Sequence, residues 1–159
     1  MIKSIAITLS DGKQLHWDFT FSVQGTMRMN NMFLSGIPDW IRLEHCQCPA
    51  CTLDPELCPV CPVAEVLAGY AHDLASRKSY EKVTVDIYQD DGPRLTLENV
   101  ALQMVVRELV RLAVFQYECP IGRTVKPTMT ELPPFPTNEE ILQAFARAFM
   151  PKVDTRTVN

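Results

Sequence analysis

Near the start of the chain, apolar and polar residues alternate in two runs, KSIAITL (3–9) and QLHWDFTFS (14–22). Period-two alternation marks a strand with one buried face. Asp11-Gly12 between the runs is a hairpin turn signal. A β-hairpin is therefore expected. After a loop containing Gly25 and Gly36, DWIRLEH (Asp39–His45) sets Trp40, Arg42 and Glu44 against Ile41 and Leu43, which suits a third strand.

The period then changes. From Pro62 to about Lys78, the residues Val63, Val66, Leu67, Tyr70 and Leu74 share one helical face, and Pro62 suits a first turn. EKVTVDIY (81–88) returns to alternation, with Val83, Val85 and Ile87 on one side. QDDGPR (89–94) turns the chain, and RLTL (94–97) pairs back as a short strand. From Glu98 to about Tyr117 the spacing predicts the most apolar helix. Leu102, Val105, Val106, Leu109, Leu112 and Ala113 form its stripe, with Met104, Val110 and Val114 beside it. A helix so apolar is expected to be central. Its RELVR stretch (Arg107–Arg111) reads as a solvated edge.

Cys119 opens CPIGRTVKPTMTELPPFP, whose five prolines argue against helix and for an extended surface crossing. TNEE (Thr137–Glu140) is a capping-box pattern that opens a last helix with Ile141, Leu142, Phe145 and Phe149 on its apolar face. The expected architecture is α+β: an antiparallel sheet of about 4–5 strands, three helices and a cysteine-rich metal-binding loop over 45–62. Residues 1–151 read as one domain and 152–159 as a flexible tail.

Composition changes this picture little. The 159 residues are 47% hydrophobic and 21% charged, enough for a real core. The net charge of −4, with no basic stripe, argues against a nucleic-acid partner. No window approaches the ~18 apolar residues of a membrane span, and the N-terminal run alternates like a strand rather than a leader. A cytoplasmic address follows by default, and there clustered cysteines read as metal-binding or redox-active rather than disulfide-bonded.

The cysteines carry the chemistry. HCQCPACTLDPELCPVCPVA (45–64) holds five of the six. Cys48-Pro-Ala-Cys51 and Cys58-Pro-Val-Cys61 are two C-x-x-C units six residues apart. Together they offer four thiolates, the tetrahedral set of a structural zinc. His45, Cys46 and Cys119 are spare ligands. A structural zinc supplies roughly 10–16 kcal/mol, comparable to a whole domain's stability. The loop is proline-rich, with little apolar content to anchor it otherwise. The rivals are an iron–sulfur cluster on the same thiolates, thiol redox chemistry at Cys58–Cys61 before a helix, and cysteines that are merely small apolar residues or oxidise to disulfides. Pro62 directly after the second cysteine, and the absence of a preceding strand, count against the redox reading.

Other signals are weaker. Met27, Met29 and Met32 have a spacing that copper(I) could use, but methionine is far more often a core filler. His16 reads as structural, His72 as solvated, and Asp90-Asp91 as a turn rather than a catalytic pair. There is no Gly-rich phosphate loop and no nucleophile elbow. A binding or accessory module, with a protein partner, is preferred to an enzyme.

CPAC with TL, then CPVA, then ECP…VKPTM…LPPF resembles a bacterial family of domains of unknown function. Its pattern runs C-x-x-C-P-L, a C-P-x-A that opens a helix, a Cys-Pro after a long apolar helix, then K-P-M and H-L-P-F. The resemblance implies Cys48, Cys51, Cys61 and Cys119 as the motif cysteines, with Lys126-Pro127, Leu132 and Phe135 in the later motif. Thr128 interrupts K-P-M, and Glu131 stands where the family has histidine. The resemblance implies no activity. Spacing thus nominates Cys58 as the fourth ligand, and the resemblance nominates Cys119. Cys48, Cys51 and Cys61 are common to both. The passage Cys119–Pro136 is expected to pack over the cluster and to form the functional surface.

Overall fold

The computed structural model describes residues 2–21, 27–29, 38–90, 92–114 and 119–150. Strands β1 (Ile2–Thr8) and β2 (Gln14–Phe21) form the expected hairpin, with Ile5 opposite Trp17 and Ile7 opposite Leu15. Gly12 takes φ 81° in its turn, a conformation that favours glycine. Asp11 Oδ1 accepts the Lys13 N–H at 3.0 Å. β3 (Met27–Met29), β4 (Lys82–Gln89) and β5 (Leu95–Ala101) complete an antiparallel sheet in the order β3-β2-β1-β4-β5. Four strands are seven or eight residues long, and β3 is a three-residue edge.

Helices α2 (Pro62–Leu74) and α3 (Leu102–Ala113) cover the apolar face of this sheet. Ile5, Ile7, Trp17, Phe19, Val83, Val85 and Ile87 pack there with Val66, Tyr70 and Leu74 of α2 and with Val105, Leu109 and Leu112 of α3. Trp17 meets Tyr70 edge-on, ring centroids 6.2 Å apart, and its indole N–H donates to Asp73 at 2.9 Å. The aromatic pair thus ties the hairpin to α2, with the polar tip of Trp17 satisfied.

Several expectations need correction. Asp39–His45 is not a strand. It is a 3-10 turn, Asp39–Ile41, followed by a single helical turn, α1 (Leu43–Cys46). Only Arg42 between them is extended, bridging Val60. One extended residue flanked by turns buries Ile41 and Leu43 and exposes their neighbours, which reproduces the alternation of a strand. α2 ends at Leu74, short of Lys78.

The apolar helix begins at Leu102 rather than Glu98, because 98–101 belong to β5 and pair with β4 through Lys82–Ala101 and Val83–Val100. No side chain caps α3. Its first amides instead donate to Glu81 O and Ser79 O, both at 2.8 Å. The starting signal therefore lies about twenty residues upstream.

The RELVR stretch is no solvated edge. Glu108 and Arg111 are buried and paired, Arg111 Nε donating to Glu108 Oε2 at 2.9 Å. Arg111 Nη1 also donates to Met129 O at 3.0 Å, and Arg107 Nη2 to Pro136 O at 2.7 Å.

Residues 120–130 are not extended; they form α4 (Pro120–Thr130). Pro120 sits in the first turn, where its missing N–H costs nothing. Pro127 lies inside the helix and is exposed; Thr130 Oγ1 donates to its carbonyl at 2.9 Å. The extended crossing shrinks to the residues just after Thr130, where Phe135 takes φ 54° and packs against the core.

α5 (Asn138–Phe149) carries the expected capping box: Glu140 N–H donates to Thr137 Oγ1 at 3.1 Å, and Thr137 N–H to Glu140 Oε2 at 2.7 Å. Its apolar face differs from expectation. Leu142 and Phe149 are exposed and Ala144 is the buried position. The fold is α+β as expected, with five α-helices among the described residues rather than three. No described helix is long and apolar enough to cross a membrane.

Candidate functional site

The cysteine-rich segment hangs from two buried anchors, Ile41 and Leu43. They face the returning chain through two backbone bonds: Leu43 N–H to Pro59 O and Cys61 N–H to Ile41 O, both 2.9 Å. With the Arg42–Val60 bridge, these clip the two ends of the loop together. Between the clips the chain makes two tight turns. Cys51 N–H donates to Cys48 O at 2.9 Å, closing the first C-P-x-C. Leu57 and Cys58 amides donate to Asp54 O at 3.1 and 2.8 Å, and Asp54 Oδ1 accepts the Glu56 N–H at 2.9 Å. Gln47 Nε2 spans the first turn to Leu53 O at 2.8 Å. The loop is thus ordered by backbone turns with almost no apolar burial.

No two of the six cysteines form a disulfide. Cys46 closes α1, and its thiol lies 3.7 Å from Ile41 O. Cys61 precedes α2, and its amide uses the same carbonyl. Burial first, then Cys61, then Cys48 push the Cys46 thiol above its ordinary pKa, because two or three thiolates crowded together repel. A thiol held neutral in this way is a poor nucleophile.

The expected ligands fare unequally. Cys61 lies on the returning side of the clip, and Cys48 stands two residues beyond α1. Cys51 shares the turn with Cys48. Cys58 lies on the returning chain with its thiol 3.2 Å from Val60 O. Cys119 is elsewhere in the fold: it caps α4, its sulfur accepting the Gly122 N–H at 3.3 Å, and α4 packs on α5. His45 turns outward, with Nδ1 3.0 Å from Asp39 O and Nε2 near Glu44. Cys46, counted only as a spare ligand from sequence, is the cysteine that the geometry adds. The C-x-C spacing of Cys46 and Cys48 was its one signal. Among the described residues, no three His, Cys, Asp or Glu side chains are arranged to hold a metal ion as they stand.

The lesser candidates sit apart. His16 is exposed and pairs with Asp18 at 2.8 Å, and His72 is exposed on α2. Met27 and Met29 fall in β3; Met32 and Asp91 lie outside the described residues. An open depression of about 370 Å³ at the end of β1, β4 and β5 is lined by Thr8, Ser10, Lys82, Thr84, Glu98 and Asn99, without a cysteine or histidine.

With this geometry in hand, comparison with known families is informative. Residues 5–150 match the family model of DUF6901, a domain of unknown function. The chain belongs to this family. The DUF6901 match spans the hairpin, the cysteine-rich loop and both C-terminal helices, so these are parts of one family unit. No curated protein and no solved structure matches the chain.

Proposed function

We propose that the cysteine-rich loop is a structural zinc site, and that the chain is a binding or accessory module that uses the loop as its rigid surface. The observation that carries this reading is the clip. Two backbone bonds and a bridge hold 41–43 against 59–61, so the two ends of the cysteine-rich loop are held together. Thiolates from two C-P-x-C turns are the ligand type of tetrahedral zinc. Cys48, Cys51 and Cys61 are the first ligands, with Cys58 and Cys119 the rivals for the fourth place. Trp40 and Leu57 are exposed around the loop and give a protein partner apolar surface. Six cysteines without a disulfide suit a reducing compartment such as the cytoplasm.

Thiol redox chemistry is served less well. Pro62 occupies the first turn of α2 and removes one of the N–H groups that would stabilise a Cys61 thiolate. An iron–sulfur cluster uses the same ligands but colours the protein brown.

The test is metal analysis of protein purified without chelator, with X-ray absorption for the ligands. The expected result is one zinc per chain with sulfur at roughly 2.3 Å. Metal-free protein whose thiols all react freely while the fold is intact would end the zinc reading. Brown protein containing iron and sulfide would replace it with the cluster.

A further inference from the structure

We propose that β5 is a dimer interface: the chain associates with a second copy of itself by antiparallel pairing of β5 with β5, in the register that sets Thr96 opposite Thr96. The two sheets then run on across a two-fold axis. This surface is on the sheet and does not involve the cysteine-rich loop.

Among the described residues, β5 is an outer strand of the sheet, with β4 on one side and no strand on the other. Every second residue of such a strand points its N–H and C=O away from the sheet, a template for a further strand. Residues 93–96 are exposed, as are Glu98 and Asn99. The opposite edge, β3, is three residues long and offers less ladder. Two features bound the open edge. Pro93 lacks an N–H, and Asn99 takes φ 59° at the register shift between Val83 and Val85. Between them, Leu95, Thr96 and Leu97 keep an unbroken register with β4.

The side chains select the occupant and the register. Leu95 opposite Ile87 and Leu97 opposite Val85 set both leucines on the helix-covered face, where Leu97 packs against the core and Leu95 is left 41% exposed at its rim. Arg94, Thr96 and Glu98 lie on the other face. Arg94 Nε and Thr96 Oγ1 both donate to Asp86 Oδ1, at 2.8 and 2.6 Å, and Glu98 borders the open depression with Thr8 and Thr84. Directly opposed residues of an antiparallel pair share a face, so a two-fold axis perpendicular to the sheet must pass through a residue. Centred on Thr96, it sets Arg94 against Glu98 twice and Leu95 against Leu97 twice. It also puts Pro93 opposite Asn99, so both irregular positions fall outside the ladder. Centred on Leu95, it sets Arg94 against Thr96. Centred on Leu97, it sets Glu98 against Thr96 and brings Asn99 into the ladder. Of the three, the Thr96 register alone is complementary in charge and in apolar contact. Asp86 holds Arg94 through Nε and Nη2, which leaves Nη1 for the second copy's Glu98 and orders the side chain before binding. The contact uses the same strand on both copies, so it closes at the dimer.

Sedimentation velocity of the full chain over a range of concentrations reads the association, and hydrogen exchange reads the edge. The wild-type chain is expected to approach twice its monomer mass as concentration rises, with alternate amides of 94–98 gaining protection in step. Glu98→Arg sets like charges at both contacts and is expected to weaken the dimer roughly tenfold or more. Arg94→Glu alone is expected to do the same. Mixing the two variants restores opposite charges at both contacts and is expected to recover most of the wild-type affinity, which a merely damaged edge could not do. Leu142→Glu, on the exposed face of α5, is expected to leave the dimer intact. A wild-type chain that stays monomeric at every concentration overturns the inference. So does a dimer that is indifferent to Glu98→Arg, one that is lost in Leu142→Glu, or a mixture that associates no better than either variant alone.

Discussion

Trp17 and Cys48 belong to regions held together by opposite means. Around Trp17, strands β1, β2 and β4 and helices α2 and α3 exclude water from a continuous set of large apolar side chains, many of them fully buried. Around Cys48, no residue from Gln47 to Pro59 is buried. That segment has turns, a glutamine bridge and backbone clips, but nothing to drive collapse. The first region stabilises itself by area, at about 25 cal/mol per Å² of apolar surface. The second has hydrogen bonds in contact with water, which contribute little net stability. The contrast teaches that the cysteine loop is held by something other than packing, and the zinc proposed above would fill that role. The same contrast separates α3, whose stripe is buried, from α5, which leaves Leu142 and Phe149 exposed.

The contrast is broken most forcefully at its apolar pole. Trp17→Ala removes a fully buried indole from the joint of hairpin and α2, and is expected to cost about 3–5 kcal/mol in denaturant unfolding. The loss should be the same with and without chelator, because no metal is involved. A cysteine-loop variant such as Cys61→Ser should show the reverse, a loss present only before chelation.

Glu108→Ala tests the buried charged pair of Glu108 and Arg111. It leaves Arg111 buried without its carboxylate and is expected to cost roughly 3–5 kcal/mol. Replacing both by Leu and Met should recover much of that loss, since a well-packed apolar pair is often neutral there. If the single variant melts like wild type, the pair is more hydrated than its burial implies.

Gly122→Ala probes the seam between α3 and α4. The new Cβ meets the Val114 carbonyl, a backbone atom with no flexible end to yield. A cost of about 1–3 kcal/mol is expected by thermal unfolding. Metal content should be unaffected, which sets this seam apart from the loop.

The smallest effects belong to exposed α5. Thr137→Ala removes half of the capping box and should cost about 1 kcal/mol. Glu140 contributes a pH dependence. Its bond from the Thr137 backbone N–H, then that with the Thr137 side chain, lower its pKa below the ordinary 4.5. A depressed carboxylate stabilises the fold above its unfolded pKa and loses that effect as pH falls through the folded value. Melting temperature should therefore drop more steeply below about pH 4.5 in wild type than in Glu140→Gln, which keeps the acceptor but cannot titrate.

How much of this was legible from the chain alone follows from the range of the forces involved. The hairpin at Asp11-Gly12, the helical face of Val66, Tyr70 and Leu74, and the Thr137–Glu140 box were readable because each is decided within a few residues, by turn chemistry, periodicity or capping. A resemblance to a family of unknown function was legible too, read from short cysteine and proline motifs, and residues 5–150 match such a family's model. Other features depend on partners far along the chain. α3 starts at Leu102 because Ser79 and Glu81 accept its first amides. α4 forms despite Pro127 in a chain also held by α5 and by Arg111 on Met129 O. Glu108 and Arg111 go inside because each neutralises the other there. The Cys46 thiol and the Cys61 amide, fifteen residues apart, approach the same Ile41 carbonyl because α1 folds the chain back there. A sequence states which residues can bond locally; which distant carbonyl, charge or sulfur meets them is decided only when packing closes the chain on itself.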